Sequence, residues 1–445
     1  MTRVINRRNF IGITATAGAG LVISRAIAAQ IDNTPDDELN VALIGAGTQG
    51  ETLMTTCLKM SKDSGVRFKA VCDIWQDLTL ERILRLLQRY GHQAKGYVDY
   101  RQMLKEEKDL DAVIIATPDF CHAEQTVACL NAGLNVYCEA PMSNTIKGAH
   151  EMVRAVKQTG KLLQIGHQRR SDPCYIHCQD KLICSSRLLG RITAVNAQSN
   201  QSARPDRGWS KRRQINSTTL TEYGYKSMHR FKNWMWYRDL GASPVVDFGV
   251  HQIDVINWFL GTSPKSVTAR GGTYYYDKKT HEWHDVVRVI FDYETEHGPV
   301  SVYYQILLNN GYGGHFEAFM GDMGTLELSQ SPGRNIVYRN PNAPDWDKWV
   351  RLGFLHRPGI KEKKQDDSVI EVGETKPPVK YTIPVVIKDP YYKPHLQNFF
   401  DTIRGKASLN CSAETAYVAT ATALKINEAL LAGHTLAFEP EEFIV

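Results

Sequence analysis

The hydrophobic pattern of the chain changes character once. Between residues 40 and 165, short continuous apolar runs alternate with longer amphipathic stretches. The apolar runs are Asn40–Ile44 (NVALI), Arg67–Cys72 (RFKAVC), Ala112–Ala116 (AVIIA), Asn135–Cys138 and Leu162–Ile165, and helical periodicity fills Gln49–Met60 and Gln76–Tyr90. A run apolar at every position is a strand buried on both faces, and such strands separated by amphipathic helices build a covered parallel sheet. Right-handed crossovers then predict a doubly wound α/β domain of Rossmann type over residues 36–165.

After residue 165 the runs become longer, alternating and richer in aromatics. Examples are Ile192–Gln198, Val267–Tyr276, Val286–Tyr293, Val300–Leu307, Phe316–Met320 and Gly324–Leu328, joined by turns such as Asn309-Asn310-Gly311. Alternation is the mark of a strand with one face buried. Residues 166–445 therefore read as an α+β domain with a large, mostly antiparallel open sheet. Helices over Gly249–Leu260 and Ala413–Leu431 are expected on one face, the second packing back on the fold. The other face, rich in tyrosine, is expected to meet a second copy in a dimer or tetramer. Residues 341–380, with many prolines and lysines, read as a surface insertion.

Composition narrows the picture. A length of 445 residues suits two domains. No internal apolar run approaches the ~18 residues that span a bilayer. A formal net charge of +5 is small for this length and gives no warrant for nucleic-acid binding. The N-terminus carries Asn6-Arg7-Arg8-Asn9-Phe10, a mild apolar stretch and Ala26-Ile27-Ala28. That order is expected of a twin-arginine signal peptide over residues 1–29, which implies export of the folded protein to the periplasm. Nine cysteines at irregular spacing argue against a complete disulfide framework. Cys72, Cys121 and Cys138 lie in or beside expected strands, as small hydrophobes. Cys174, His177 and Cys178 share an expected helix, but no second ligand pair follows at zinc spacing, so no metal is expected.

Candidate chemistry begins at Gly45-Ala46-Gly47-Thr48-Gln49-Gly50, between the first strand and the first helix, with Asp73 ending the second strand. The first glycine makes the tight turn, the second admits a pyrophosphate, and the third lets helix and strand pack closely. The helix N-terminus offers N–H groups to phosphate. Asp73 can accept from both ribose hydroxyls and would repel a 2′-phosphate, which favours NAD.

Further motifs are spread along the chain: Ala116-Thr117-Pro118, His122, Glu139-x-Pro141, Gly166-His167-Gln168-Arg169-Arg170, Asp247-Phe248-Gly249-Val250-His251 and Trp258-Phe259-Leu260-Gly261. In this order they resemble the Gfo/Idh/MocA oxidoreductase family, and the leader resembles its exported twin-arginine branch. The resemblance implies hydride transfer between a hydroxyl carbon of a sugar or cyclitol and NAD. It implies that Thr117, Pro118, His122, Glu139 and Gln168 join Gly45, Gly47, Thr48, Gln49, Gly50 and Asp73 around the cofactor. It also implies that Asp247 and His251, at i and i+4 on one helix face, flank the reacting carbon. There the imidazole takes the hydroxyl proton.

One position departs from the family pattern. A lysine usually stands between the Glu and the Pro, and here it is Ala140. Three explanations are open. Another group substitutes, from the stretch TEYGYKSMHR with Tyr223, Tyr225, Lys226 and His229; of these Tyr225 and Lys226 are the candidate catalytic residues. Alternatively, the reaction is that of the NAD-dependent glycosidases of the family, which also lack this lysine: transient C3 oxidation, elimination of the aglycone, water addition and re-reduction. Or catalysis has been lost, naturally or by engineering, leaving a sugar- or nucleotide-binding protein. The leading expectation is an NAD(H)-dependent oxidoreductase acting on a sugar or glycoside hydroxyl carbon with tightly held NAD. A last feature bears on substrate. ARPDRGWSKRR, from Ala203 to Arg213, sets five cations against Asp206. The plainer reading is a solvated loop; the sharper one is attraction of an acidic sugar, with Arg212 and Arg213 as the residues to test.

Overall fold

A computed structural model describes residues 38–445 except 332, 358–377 and 388. The leader expected over 1–29 lies outside the described residues. Strands Leu39–Ile44 (β1), Val66–Cys72 (β2), Lys95–Tyr97 (β3), Ala112–Ile115 (β4), Asn135–Cys138 (β5) and Leu163–Ile165 (β6) form one parallel sheet in the order β3-β2-β1-β4-β5-β6. Helices Thr48–Ser64 (α1), Glu81–Arg89 (α2), Tyr100–Glu106 (α3), Asp119–Asn131 (α4) and Ile146–Thr159 (α5) make the crossovers. The strand order reverses between β1 and β4, so a crevice opens beyond their carboxyl ends.

The second sheet has nine strands: Ile192–Asn200 (β7), Pro264–Gly272 (β8), Val286–Thr295 (β9), Gly298–Leu307 (β10), His315–Gly321 (β11), Gly324–Leu328 (β12), Ile336–Arg339 (β13), Val379–Thr382 (β14) and Leu436–Ala437 (β15). Their order is β14-β13-β12-β11-β7-β10-β9-β8-β15. β7 and β10 run parallel and the other named pairs antiparallel. The alternation in β9 is literal: Val287, Val289, Phe291 and Tyr293 are buried, while Arg288, Ile290 and Asp292 are exposed. β8 ends at Gly272, short of the expected Tyr276. The Asp285 carboxylate takes the backbone N–H groups of Tyr274, Tyr275 and Tyr276 at 2.9, 2.8 and 2.9 Å and turns the chain out of the sheet.

Two long helices cover the buried face. The helix expected from Gly249 begins at Pro244 and runs to Leu260. Ser243 caps it, its Oγ accepting from the Val246 N–H, and Pro244 occupies the first turn, where its missing N–H costs nothing. The start signal was present in sequence but lay upstream of the apolar run. Ala413–Ala432 follows Ser412 as cap and ends at Gly433 with φ 69°.

Two organisational expectations need revision. Leu396, Phe399 and Phe400, on helix Tyr392–Ile403, are fully buried in one core with Leu43 and Leu53. Each such side chain contributes ~1.5–3 kcal/mol by burial. This helix therefore belongs to the outer layer of the first domain, although it follows the second sheet in sequence. The described part of segment 341–380 is likewise not simply superficial. Its Trp346 and Leu355 are buried in the second core, and the Trp346 ring lies 5.4 Å from that of Tyr381, just beyond the segment.

Candidate active site

The crevice is a cleft of about 1280 Å³ bounded by both sheets. Its first wall is built from backbone. Gly45 sits at φ 92°, and a Cβ there would lie 2.7 Å from the carbonyl of Ala116. A Cβ on Gly50 would lie 1.9 Å from the Gly45 carbonyl oxygen, so helix α1 can approach β1 only with glycine there. A Cβ on Gly47 would meet nothing within 4 Å, because this residue faces open cleft. Gly47 is also the N-cap of α1 and brings no side-chain acceptor, leaving the leading N–H groups to a ligand. Thr48 and Gln49 line the cleft at this helix end.

The Asp73 carboxylate accepts from the N–H groups of Ala46 and Trp75, both at 2.7 Å. Burial pushes its pKa up; the hydrogen bonds from Trp75, Thr79 and Ala46 and the charge of Lys232 oppose this. An open glycine, an uncapped helix end and a carboxylate beyond the second strand fit the phosphates and adenosine ribose of NAD.

The second wall is built from side chains that converge from distant segments. Asp247 and His251 stand one turn apart on helix Pro244–Leu260, both half-buried on the cleft. The opposite face of this helix is fixed. Gly249 packs so closely that a Cβ would lie 3.0 Å from the Tyr304 hydroxyl. Gln252 donates to the carbonyls of Gln198 and Phe316 at 2.8 and 3.0 Å. Arg170 holds Asp254 through Nε at 2.9 and 2.8 Å from its two oxygens. The His251 ring stands edge-on to His167, centroids 5.4 Å apart. Burial, with the charges of Arg169 and its histidine neighbours, holds His251 well below the usual imidazole range. It is therefore neutral at neutral pH and able to accept a proton.

Three carboxyls share this space. Burial pushes Asp247 up to about 7, with Arg207 opposing. Glu139, which accepts from Gln49 Nε2 at 2.9 Å and from Gln168 Nε2 at 3.3 Å, is pushed up to about 7, and the Asp247 charge adds to the effect of burial. Asp119, the first residue of α4, is pushed up to about 8 by burial, again with Asp247 contributing. Its Oδ2 accepts from the Ala242 N–H at 2.9 Å, and its Oδ1 has no partner among the described residues. Ala140 lines the cleft beside them and brings no charge.

The structure redistributes several expected roles. Lys226 is exposed and pairs with Asp239 at 3.1 Å, away from the cleft. Tyr225 reaches the cleft within the fields of both Asp73 and Asp119. It is buried with its ring edge-on to Phe120 and Phe231, and burial holds its hydroxyl well above the usual range, so it forms part of the wall with its phenol protonated. Tyr223 donates to the Val98 carbonyl, and His229 is taken by Asp206 and Tyr237. His122 is a brace. Its Nδ1 lies 2.9 Å from the Pro141 oxygen and its Nε2 2.8 Å from that of Thr117, so it supports the Thr117–Pro118 loop from behind. Thr117 and Pro118 do line the cleft. Cys174 and Cys178 turn into the core, while His177 Nε2 lies 2.9 Å from the Phe354 carbonyl oxygen, so the three do not converge on a metal. All four arginines of the basic stretch are exposed; Arg204 and Arg207 line the cleft, while Arg212 and Arg213 stand outside its lining.

Known proteins now give the site its context. The model described as "Oxidoreductase family, NAD-binding Rossmann fold" matches residues 39–167, and that of the GFO/IDH/MocA C-terminal domain matches residues 181–327. The chain belongs to the Gfo/Idh/MocA family. Inositol 2-dehydrogenase of Salmonella typhimurium is 30% identical over 205 residues, which are 46% of this chain and 50% of that enzyme. The match thus spans about half the length of that relative. An inositol 2-dehydrogenase/D-chiro-inositol 3-dehydrogenase of Shouchella clausii is 26% identical over 329 residues, 71% of this chain and 80% of its own. Among solved structures, a levoglucosan dehydrogenase in complex with NADH and L-sorbose superposes with a TM-score of 0.66 at 17% identity, covering 90% of this chain and 99% of its own. The WlbA dehydrogenase of Bordetella pertussis, in complex with NADH and UDP-GlcNAcA, gives 0.64 at 15% identity, covering 90% and 98%. These two share the fold. Within the Gfo/Idh/MocA frame, residues 39–167 are the NAD-binding domain.

Sequence reasoning missed Asp119, Lys232, Arg169 and Tyr392 at the cleft. Asp119 directly follows Ala-Thr-Pro and passes for an ordinary acid in the first turn of a helix. Arg169 is buried against Glu317, to which Tyr175 also donates at 3.0 Å, and only the folded chain joins them. Tyr392 reaches Gln49 across 343 positions, for which no local signal exists.

Proposed function

We propose that the protein is an NAD-dependent oxidoreductase acting on a hydroxyl carbon of a sugar or glycoside and retaining its nucleotide between turnovers. The observation that carries this reading is the pair Asp247 and His251 on the cleft face of one helix, opposite the glycine turn and Glu139. Bound NAD would supply hydride acceptance from the carbinol carbon. The neutral His251 ring takes the hydroxyl proton on a ring nitrogen, general-base assistance typically worth ~10²–10⁴ in rate. Asp247, when ionised, holds a neighbouring hydroxyl and stabilises the imidazolium that forms. Gln49 and Gln168 fix the Glu139 carboxyl at the end of β5.

Ala140 favours a second reading, redox-neutral glycoside cleavage. Without an ammonium between Glu139 and Pro141, the developing alkoxide lacks the usual cation. A cycle that restores the nucleotide to its starting state also suits a protein that leaves the nicotinamide pool behind. The two readings separate on one measurement: incubation of the purified protein with glycosides, no nucleotide added. Sugar release with unchanged NADH absorbance supports cleavage; stoichiometric NADH formation supports dehydrogenation. Protein that carries no nucleotide and binds none on titration sinks both. The proposal includes export through the Arg7-Arg8 leader, which cell fractionation of an Arg7→Lys, Arg8→Lys variant tests. It also includes assembly through the open face of the second sheet, where Ile290 is 45% exposed. Light scattering of an Ile290→Lys variant, read against the parent's mass, tests that.

A further inference from the structure

The basic stretch after β7 is a strap with fixed anchors. Its Arg204 N–H donates to the Tyr276 hydroxyl at 2.9 Å and its Arg207 N–H to Asn233 Oδ1 at 2.8 Å. The Trp75 indole N–H donates to the Arg213 carbonyl at 2.5 Å. The strap is thereby tied to the second domain and to the NAD-binding domain, along the cleft. Its one acid forms no ion pair with its cations among the described residues. Asp206 faces two imidazoles instead, its Oδ2 2.7 Å from His229 Nε2 and its Oδ1 3.3 Å from His281 Nε2. The other arginines of the cleft are paired: Arg82 with Glu51, Arg101 with Glu124 and Arg169 with Glu317. The side chains of Arg204 and Arg207 line the cleft with no carboxylate partner among the described residues. The charge of Arg207 is felt by Asp247 on one side and by Lys232 on the other.

We propose that the cleft selects a substrate carrying an oxyanion, a carboxylate or a sulfate, on the part of the sugar remote from the reacting carbon, and that Arg207 with Arg204 reads it. The inference rests on the functional reading above for the position of the sugar. A guanidinium offers two parallel N–H donors that match the edge of an oxyanion, and an unpaired one on an anchored strap beside a cleft is available to it. A neutral sugar leaves these two charges without a counter-ion; an anionic one supplies it.

The test is binding, so it does not depend on turnover. NADH-loaded protein is titrated calorimetrically with D-glucuronate, D-galacturonate and D-glucose 6-sulfate, and with D-glucose and D-galactose. At least one acid should bind about 10- to 100-fold tighter than its neutral parent, the range for hydrogen bonds to a charged group. That preference should shrink as salt rises from 0.05 to about 0.5 M. The uronate and sulfate arms tell which oxyanion is preferred. Arg207→Gln should bring the acid-to-neutral ratio close to one, Arg204→Gln should reduce it, and Arg207→Lys should keep part of it. Arg212→Gln, outside the cleft, should leave the ratio as it is. Equal binding of acids and neutral sugars, no binding of any sugar, or a preference that survives Arg207→Gln combined with Arg204→Gln overturns the proposal. So does an Arg207→Gln effect confined to NADH affinity, which would assign the arginine to the nucleotide. An intact acid preference in a protein that oxidises nothing would sink the proposed reaction and leave this inference standing.

Discussion

The two walls of the cleft are made in opposite ways. The cofactor wall is local and mostly backbone: residues 45–50 and 73 do their work through a turn, a bare helix end and one carboxylate. The substrate wall is assembled from side chains of separate segments between residues 119 and 251, with Glu139 after β5, Asp119 on α4, Asp247 and His251 on a second-domain helix and Arg207 on a strap. The first wall has no room for added atoms at Gly45 and Gly50. The second is sensitive to charge, because burial raises three of its carboxyls to about 7 or 8. The lesson is that nucleotide binding here is a matter of sterics and catalysis a matter of electrostatics.

That contrast can be broken most severely at Gly50. Gly50→Ala places a methyl 1.9 Å from a backbone oxygen that cannot move aside. Overpacking of this kind costs ~1–3 kcal/mol or more. Nucleotide affinity should fall by at least about 100-fold, with a lowered melting temperature; Gly47→Ala, facing open cleft, should spare stability and weaken only the nucleotide. Equal melting losses in both would end the steric account.

His251→Asn attacks the other wall. Turnover should fall by ~10²–10⁴, while NADH affinity, read by fluorescence, stays within about twofold of the parent. A protein that shows no turnover to lose and keeps its ligand affinity is instead a binder.

Ala140→Lys sharpens the comparison. Burial has raised Asp247 and Glu139 to about 7 each, so each is half-protonated at neutral pH and activity that needs the carboxylate should rise as pH passes through about 7. An added ammonium favours the charged form, lowers both values and should move that acid limb down by about 1 pH unit or more. Net dehydrogenation should increase, and glycoside cleavage, if that is the native reaction, should decline. An acid limb that stays in place shows that position 140 does not act on this pair.

The smallest effect concerns stability. Asp119 titrates near 4 in an unfolded chain and at about 8 when folded. The folded state thus binds more protons between those values. Stability is highest below about pH 4 as far as this group is concerned, falls as pH rises to about 8, and is level beyond. Asp119→Asn should flatten that slope in a series of melting temperatures from pH 5 to 9. An unchanged slope would mean that the Ala242 hydrogen bond already holds the carboxylate charged.

Much of this molecule was legible before folding was considered. Continuous apolar runs gave the parallel sheet, alternating runs the second sheet, and Gly45 to Gly50 with Asp73 the nucleotide wall. All of these rest on contacts close in sequence or on a period that the strand itself imposes. Asp247 and His251 were also legible, since one helical turn decides that they face the same way. The rest depended on which distant segments meet. Lys226 looked like the missing cation until Asp239 took it, and Tyr225 looked like a proton donor until Phe120 and Phe231 enclosed it. His122 lines the cleft as expected, but its ring nitrogens face the carbonyls of Pro141 and Thr117, which no local pattern shows.

The sequence by itself determined the sheets, the nucleotide turn and the residue types available for chemistry. Tertiary structure alone decided which charges remain unpaired in the cleft. Charge is a property of a residue, but a free charge is a property of its neighbours. Asp206 turns to His229 and His281, and Arg204 and Arg207 are left with no ion-pair partner among the described residues. No local pattern in ARPDRGWSKRR distinguishes those two arginines from Arg212 and Arg213.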